Sequence, residues 1–361
     1  MHDKLHSQLK SLFCDGLPLL DVRAPVEFAR GAFPTSSNIP LLSDAERHRV
    51  GLLYKRSGQE EAVALGHKLV SGALKESRIN AWKTWCQNNP TGWLYCFRGG
   101  LRSQISQAWL AAEDIHCPRV PGGYKAMRQF LIDTIQLTSD THRFTIIAGP
   151  TGSGKTHLLQ QLGCAVDLEQ HAAHRGSAFG SLMGKQPSQI SFENAIAIDF
   201  LRLAHEADRS IFLEDESQSI GSLSIPHMLY LRMKAAPIAV IEESIETRTA
   251  TILDDYIKDN YEQFRRADPD HAFEQFSSYL LSSLERIQRR LGGDSYNSVR
   301  NKMLQALSLQ KQCGDTAAHS LWIGQLLHDY YDPMYAYQLS KKMDRVIFRG
   351  PSEAFLNWAR P

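Results

Sequence analysis

A chain of 361 residues that is 43% hydrophobic and 22% charged is an ordinary globular protein with room for two domains. No apolar run reaches membrane-spanning length, and Met1-His2-Asp3-Lys4 lacks the layout of a secretion signal, so no membrane is expected and the reducing cytoplasm is. Six cysteines without a C-x-x-C pair exclude a disulfide framework and a cysteine zinc site. The net charge of +1 divides into +5 over residues 1–138 and −4 over the rest, so any RNA surface must come from local patterning.

Residues 1–138 read as a small α/β domain. Leu17–Arg23 is a short strand, Glu27–Pro34 a helix and turn, and Asn38–Leu41 a second strand or its edge. Residues 44–56 and 60–88 are helical in pattern, with Trp82 and Trp85 on one apolar face. Gly92-Trp93-Leu94-Tyr95 is a buried strand, Ser103–Leu110 has helical spacing, and a further helix covers about 124–136 after Val120-Pro121-Gly122-Gly123.

Between that strand and helix lies Cys96-Phe97-Arg98-Gly99-Gly100-Leu101-Arg102. Backbone N–H groups, a helix N-terminus and the charge of Arg98 or Arg102 make such a loop an anion cradle, and its field favours the thiolate, the nucleophilic form of Cys96. Most free cysteines are buried packing residues, but glycines and arginines directly after the thiol favour chemistry. The segment resembles the rhodanese-like sulfurtransferases through Asp21-Val22-Arg23, Glu27-Phe28, Gly31, Asn38-Ile39-Pro40 and the Cys96 loop. That resemblance implies a parallel sheet and a cysteine able to hold a persulfide or perselenide. Five residues separate Cys96 from Arg102, where short rhodaneses usually have four; five is the spacing of cysteine-dependent phosphatases, and that reading stays open on this segment alone.

Thr138–His142 is polar and reads as a linker, leaving 139–361 as the second domain. Arg143–Ala148 is an apolar strand running into Gly149-Pro150-Thr151-Gly152-Ser153-Gly154-Lys155-Thr156, and a helix follows. This G-x-x-x-x-G-K-T, in its strand–loop–helix context, predicts a P-loop in which Gly152, Ser153 and Gly154 wrap phosphate, Lys155 neutralises it and Thr156 holds Mg²⁺. Ser210–Glu216 is the matching apolar strand ending in acid, with Glu214, Asp215 and Glu216 as candidates for metal or base. Ala236–Glu242 is a further core strand. His171–Gly180 carries Arg175 and Ser177 beside two glycines, as an exposed substrate loop would, and its two histidines have no cysteine or third histidine near, which argues against a metal. Beyond about 245 the chain is helical. Arg286, Arg289 and Arg290 share one expected helix face, and Lys341, Lys342 and Arg345 another, the two best RNA candidates.

Over nearly its full length the chain resembles the bacterial tRNA 2-selenouridine synthases. The carriers are Tyr95–Ser103, Gly149–Thr156, His174–Gly180, Glu214-Asp215-Glu216 with Ile220-Gly221, and Tyr330–Tyr335, with Phe97 where the family often has Trp. The resemblance implies exchange of sulfur for selenium at C2 of wobble (U34) 2-thiouridine in the anticodon arm of the Lys, Glu and Gln tRNAs. Geranyl diphosphate and selenophosphate are the implied co-substrates, with Mg²⁺ a candidate ion and a selenophosphate-supplying enzyme a candidate partner. It further implies an S-geranyl intermediate and a Cys96 perselenide. The competing expectation is an ATP-dependent sulfurtransferase or kinase that does not act on tRNA.

Overall fold

The computed structural model describes residues 2–180, 184–204 and 209–360. The chain forms two compact units, Met1–Asp140 with Ser188–His205, and Thr141–Pro187 with Glu206–Pro361.

The first unit is built on three parallel strands, β1 (Leu19–Asp21), β2 (Ser36–Asn38) and β3 (Trp93–Tyr95), in the order β2-β1-β3. The central β1 is buried throughout, as a strand flanked on both edges requires. Around it lie α1 (His2–Cys14), α2 (Pro25–Arg30), α3 (Asp44–Ser57), α4 (Gln59–Leu69), α5 (Gly72–Asn88), α6 (Leu101–Ala111) and α7 (Gly123–Thr141). Leu20, Val22, Trp82, Leu94 and Leu110 anchor one core, each fully buried and contributing roughly 1.5–3 kcal/mol. Trp82 places its indole N–H on the Ile39 carbonyl at 2.8 Å, so its polar edge is satisfied.

Two expectations change here. The supposed linker is the last turn of α7, where Thr138 and Ser139 are buried; small hydroxyl residues read as loop in sequence but also pack on a helix face. The helix Gln189–Leu203, assigned to the second domain by a single boundary at 138, belongs to the first unit. Phe192, Ile196 and Phe200 are fully buried there. Its buried Asn194 donates to the Ala32 carbonyl (2.9 Å) and accepts from Arg128 (2.8 Å), contacts no local pattern announces.

The second unit holds a parallel sheet of β4 (Phe144–Ala148), β5 (Ala165–Val166), β6 (Ile211–Glu214), β9 (Ile238–Ile241) and β10 (Val346–Gly350), ordered β10-β9-β4-β6-β5; the hairpin β7 (Ser219–Ile220) and β8 (Leu223–Ser224) stands apart. The four apolar residues of β9 and all five of β4 are buried, the near-continuous pattern of a sheet covered on both faces. Helices α8 (Lys155–Gln161) and α9 (Leu168–Ala172) follow β4 and β5. The C-terminal helices form a separate apolar core around Phe276, Leu280, Val299, Met303 and Trp322. The fold is therefore mixed α/β with parallel sheets and a largely helical remainder, and among the described residues no helix is long and apolar enough to cross a membrane.

Candidate active sites

In the first unit Cys96 follows β3 directly and is buried. Its thiol donates to Ser103 Oγ at 3.2 Å, and that hydroxyl donates to the Gly100 carbonyl at 2.9 Å, which fixes the sulfur over the first turn of α6. The N–H groups of Phe97, Arg98, Gly99 and Gly100 make no hydrogen bond to protein among the described residues. The loop is shaped by a second glycine pair. Gly99 has φ +65°, and a Cβ on it would lie 3.0 Å from the Gly122 nitrogen; a Cβ on Gly123 would lie 2.2 Å from the Cys96 carbonyl. Tyr124 and Lys125 can then donate their N–H groups to the Cys96 and Phe97 carbonyls, both at 2.9 Å. The Gly122-Gly123 doublet was the visible signal for this support, but its partner loop lies too far off in sequence to be inferred.

The two loop arginines part company. Arg102 forms a fork on Glu27, NH1 to Oε2 at 2.5 Å and NH2 to Oε1 at 3.1 Å. Burial raises the Glu27 carboxyl, but hydrogen bonds and charge from Arg102 outweigh it and hold the group below the usual carboxylate range. Arg102 therefore positions the loop helix, and the exposed Arg98 is the cation left for a ligand. Below, Asp21 and Arg23 form a fully buried ion pair at 2.6 Å; Arg23 also donates to the Gly31 carbonyl and lies 3.8 Å over the Tyr124 ring. Each charge there is matched, the condition under which a buried pair is tolerated.

In the second unit the loop Gly149–Gly154 leaves the carboxyl end of β4, the central strand. Lys155 Nζ rests on the Gly149 carbonyl at 3.0 Å. Gly152 (φ +84°) passes so close to the helix Ile245–Ile252 that a Cβ would lie 2.7 Å from the Arg248 carbonyl. Arg248, nearly buried, donates to the Thr151 carbonyl (2.9 Å) and forks onto Asp332 (2.5 and 3.1 Å), pinning the loop from outside. Arg248 was not singled out from sequence and Asp332 entered only within the Tyr330–Tyr335 motif, because nothing local marks their pairing.

β6 lies beside β4 with Ile147 opposite Glu214, which decides among the three acids. Glu214 faces the loop: Thr156 Oγ1 donates to its Oε1 at 3.1 Å, while its buried Oε2 has no hydrogen-bond partner among the described residues. Asp215 is occupied by Lys342 at 2.6 and 2.7 Å. Glu216 joins Glu214 and Glu169 of α9, ligand oxygens of all three lying within 4.8 Å of one another. Burial, then the charges of Glu169 and Asp167, push Glu214 well above the usual carboxylate range. Burial and the charge of Glu169 lift Glu216 to about 8. Three crowded carboxylates, one with an orphaned oxygen, beside a threonine hydroxyl fit a hard divalent cation with oxygen ligands.

A cavity of about 710 Å³ joins this loop to Arg175, Ser177, Lys342 and Arg345. Arg175 donates to the Asp255 carbonyl (2.5 Å) and lies 4.7 Å over the Tyr256 ring, and Ser177 donates to the Tyr256 hydroxyl at 3.3 Å. Tyr256 and Tyr331 sit on two π-helical turns, Leu253–Lys258 and Leu327–Tyr331, irregularities that often mark functional sites. The expected basic faces are reshaped. Arg286 donates to the Ala178 carbonyl and Ser283, leaving Arg289 and Arg290 exposed. Lys341, Lys342 and Arg345 do not share a helix face, because the helix Asp332–Ser340 ends before them; Arg345 holds the Ala236 carbonyl at 2.8 Å.

Residues 142–361 match the family model described as the tRNA 2-selenouridine synthase AAA domain. Relatives named tRNA 2-selenouridine synthase are 48% identical in Marinobacter nauticus (97% of this chain, 96% of the relative) and 46% identical in Shewanella loihica (98% and 95%). A third, from Bordetella bronchiseptica, is 49% identical over 97% of this chain and 96% of its own.

Proposed function

Because this chain belongs to the tRNA 2-selenouridine synthase family, we propose that it replaces sulfur by selenium at wobble (U34) 2-thiouridine in the Lys, Glu and Gln tRNAs, in two steps. In the first, the uridine sulfur attacks C1 of geranyl diphosphate: an S–C bond forms, the C–O bond to diphosphate breaks, and the N3 proton goes to solvent. The loop Gly149–Thr156 holds the departing diphosphate, with Lys155 matching its charge. Thr156, Glu169, Glu214 and Glu216 would hold Mg²⁺, which when bound supplies further neutralisation of that leaving group.

Alkylation turns a poor leaving group into a good one. In the second step selenium bonds to C2, the C2–S bond breaks, and sulfur departs with the prenyl chain as a thiol. Cys96, in a rhodanese-like first unit, carries the selenium from selenophosphate as a perselenide. Selenium there stands two electrons above selenide, so on loading the P–Se bond breaks, the phosphoryl group leaves to water as phosphate, and a small-molecule disulfide takes the electron pair, becoming two thiols that return the pair on release. Selenophosphate is a tetrahedral oxyanion, suited to the four loop N–H groups and Arg98. A selenophosphate-producing enzyme is the implied supplier. Exposed Arg289, Arg290 and Lys341 are the candidate contacts to tRNA phosphates.

The observation that carries this reading is the mixed lining of the cavity at the phosphate loop. Beside the phosphate-binding residues it is lined by Ile252, Tyr331, Met334 and Tyr335, a surface for an apolar tail. Purified protein given a 2-thiouridine anticodon stem-loop, geranyl diphosphate and Mg²⁺ should add one prenyl group by mass, and selenophosphate with a small-molecule disulfide should then convert the product to 2-selenouridine. Absence of the prenyl adduct, with steady ATP turnover in its place and without RNA, would favour the nucleotide-dependent sulfurtransferase or kinase.

A further inference from the structure

The first unit contains a cavity of about 540 Å³ that neither step above uses. It lies between α3, α4 and the start of α6, and Leu41, Leu42, Val63, Val70, Ile105 and Trp109 form its apolar wall. α3 has no buried residue in its 14, an unusual state for a helix laid over a core. Polar ties hold it at its N-terminal end: the Ser43 cap, Asp44 accepting from the Val26 N–H at 2.8 Å, and Glu46 paired with Arg78 at 2.8 Å. The helix thus spans an apolar hollow that its own side chains do not fill.

The hollow adjoins the chemistry. Cys96 belongs to the same apolar cluster as Leu41, Leu42 and Val70, and the cavity wall includes Leu101, Arg102 and Ile105 from the helix that opens directly after the cysteine loop. Its remaining polar lining is cationic or neutral, with Arg47, His48, Lys55, His67 and Arg102 present and no aspartate or glutamate. Glu27 joins Arg102 to Arg47 of α3 (3.6 Å), tying the cavity rim to the loop helix. Two arginines share the one Glu27 carboxylate, so with Lys55 the polar lining stays net positive, and an apolar hollow so lined complements a short apolar chain attached to a polyanion.

We propose that this cavity receives the branched prenyl chain carried by the S-alkylated uridine of the tRNA, with RNA phosphates meeting the rim, so that C2 is presented to the Cys96 loop. The assignment rests on the reading above that such a nucleoside forms. The site is distinct from the phosphate-loop cavity, which binds the chain while it is still a diphosphate ester.

The test uses synthetic anticodon stem-loops bearing either S-geranyl or S-methyl 2-thiouridine, given selenophosphate, a small-molecule disulfide and the full-length protein. The wild type should form selenouridine from the S-geranyl substrate with a kcat/KM at least about tenfold higher than from the S-methyl one, since each methylene in an apolar pocket already discriminates by that order. Val63→Trp and Val50→Trp fill the cavity from α4 and α3. Each should bring the ratio close to one while keeping S-methyl turnover, which also shows that the unit is folded. A ratio unchanged in both variants, or no preference in the wild type, overturns the proposal. For a variant without turnover, fluorescence anisotropy of the two stem-loops replaces kinetics, and a retained S-geranyl preference overturns it equally. Should the wild type select neither product nor step, the reaction scheme fails, and the anisotropy preference alone then decides the cavity.

Discussion

The Cys96 loop and the Gly149–Thr156 loop both leave a parallel strand and enter a helix, yet they treat charge differently. Around Cys96 the charged side chains beneath and beside the loop are already paired: Arg102 on Glu27, Arg23 on Asp21. Its shape comes from Gly99 packed on the Gly122-Gly123 pair, and backbone donors and Arg98 are left over. Around Lys155 three carboxylates crowd together with one oxygen orphaned, and burial drives all three toward the neutral form, with repulsion adding to it at Glu214 and Glu216. One loop is complete before its ligand arrives; the other stores repulsion that a cation or phosphate would relieve.

The contrast can be broken most sharply at the sulfur. Cys96→Ser should cut selenouridine formation by about 10³-fold or more while S-prenyl tRNA accumulates, as read by nucleoside mass spectrometry. Residual selenation near the native rate would remove the covalent role. Lys155→Ala should lower S-prenylation by about 10²–10³-fold, the usual size of a lost electrostatic contact to a leaving group, and leave pre-formed S-prenyl tRNA convertible. A variant that prenylates normally would deny the phosphate loop its part.

Ligand-linked stability separates the loops more finely. Mg²⁺ with inorganic diphosphate should raise the melting temperature of the second unit by a few degrees, on the order of RT ln(1 + [L]/Kd), and Glu214→Gln should abolish the shift. An equal shift in that variant would mean the carboxylates are not the site. Without the ion, Glu216, raised to about 8, contributes stability that is full below the unfolded carboxylate range and is lost as pH rises through about 8; Glu216→Gln should flatten that limb in thermal melts against pH.

The smallest effect lies in the helical core. His319 is fully buried, accepting from the Trp322 indole N–H at 2.9 Å and paired with Gln310, and burial lowers it to about 4. Being depressed, it protonates more readily unfolded, so stability present above about 6.5 is lost as pH falls toward 4. The loss amounts to up to roughly 3 kcal/mol. His319→Gln should remove most of that acid limb, and an unchanged limb would place its origin elsewhere.

Both loops were legible because each is a contiguous run whose residue types suffice: thiol, glycines and arginines in one, G-x-x-x-x-G-K-T in the other. Their flanking strands were legible for the same reason, since β3 and β4 are apolar runs bounded by turn residues. The basic face at Lys341–Arg345 was misread because helical spacing was extended past Ser340, where the helix ends. Asp215 and Glu214 were indistinguishable in one dimension; the pleat of β6 sends one toward Thr156 and leaves the next to Lys342.

What the amino-acid order determined alone was local: where a glycine-rich turn joins strand to helix, which strands are buried, and which family the motifs resemble. The tertiary structure decided which charges meet. Glu27 reaches Arg102 across 75 positions, Arg248 reaches Asp332 across 84, and the helix Gln189–Leu203 returns to the first unit. Such pairings depend on how strands are ordered and how far a side chain reaches in three dimensions. Neither leaves a periodic trace, because a contact between distant residues is favoured by the whole packing and not by their neighbours in the chain.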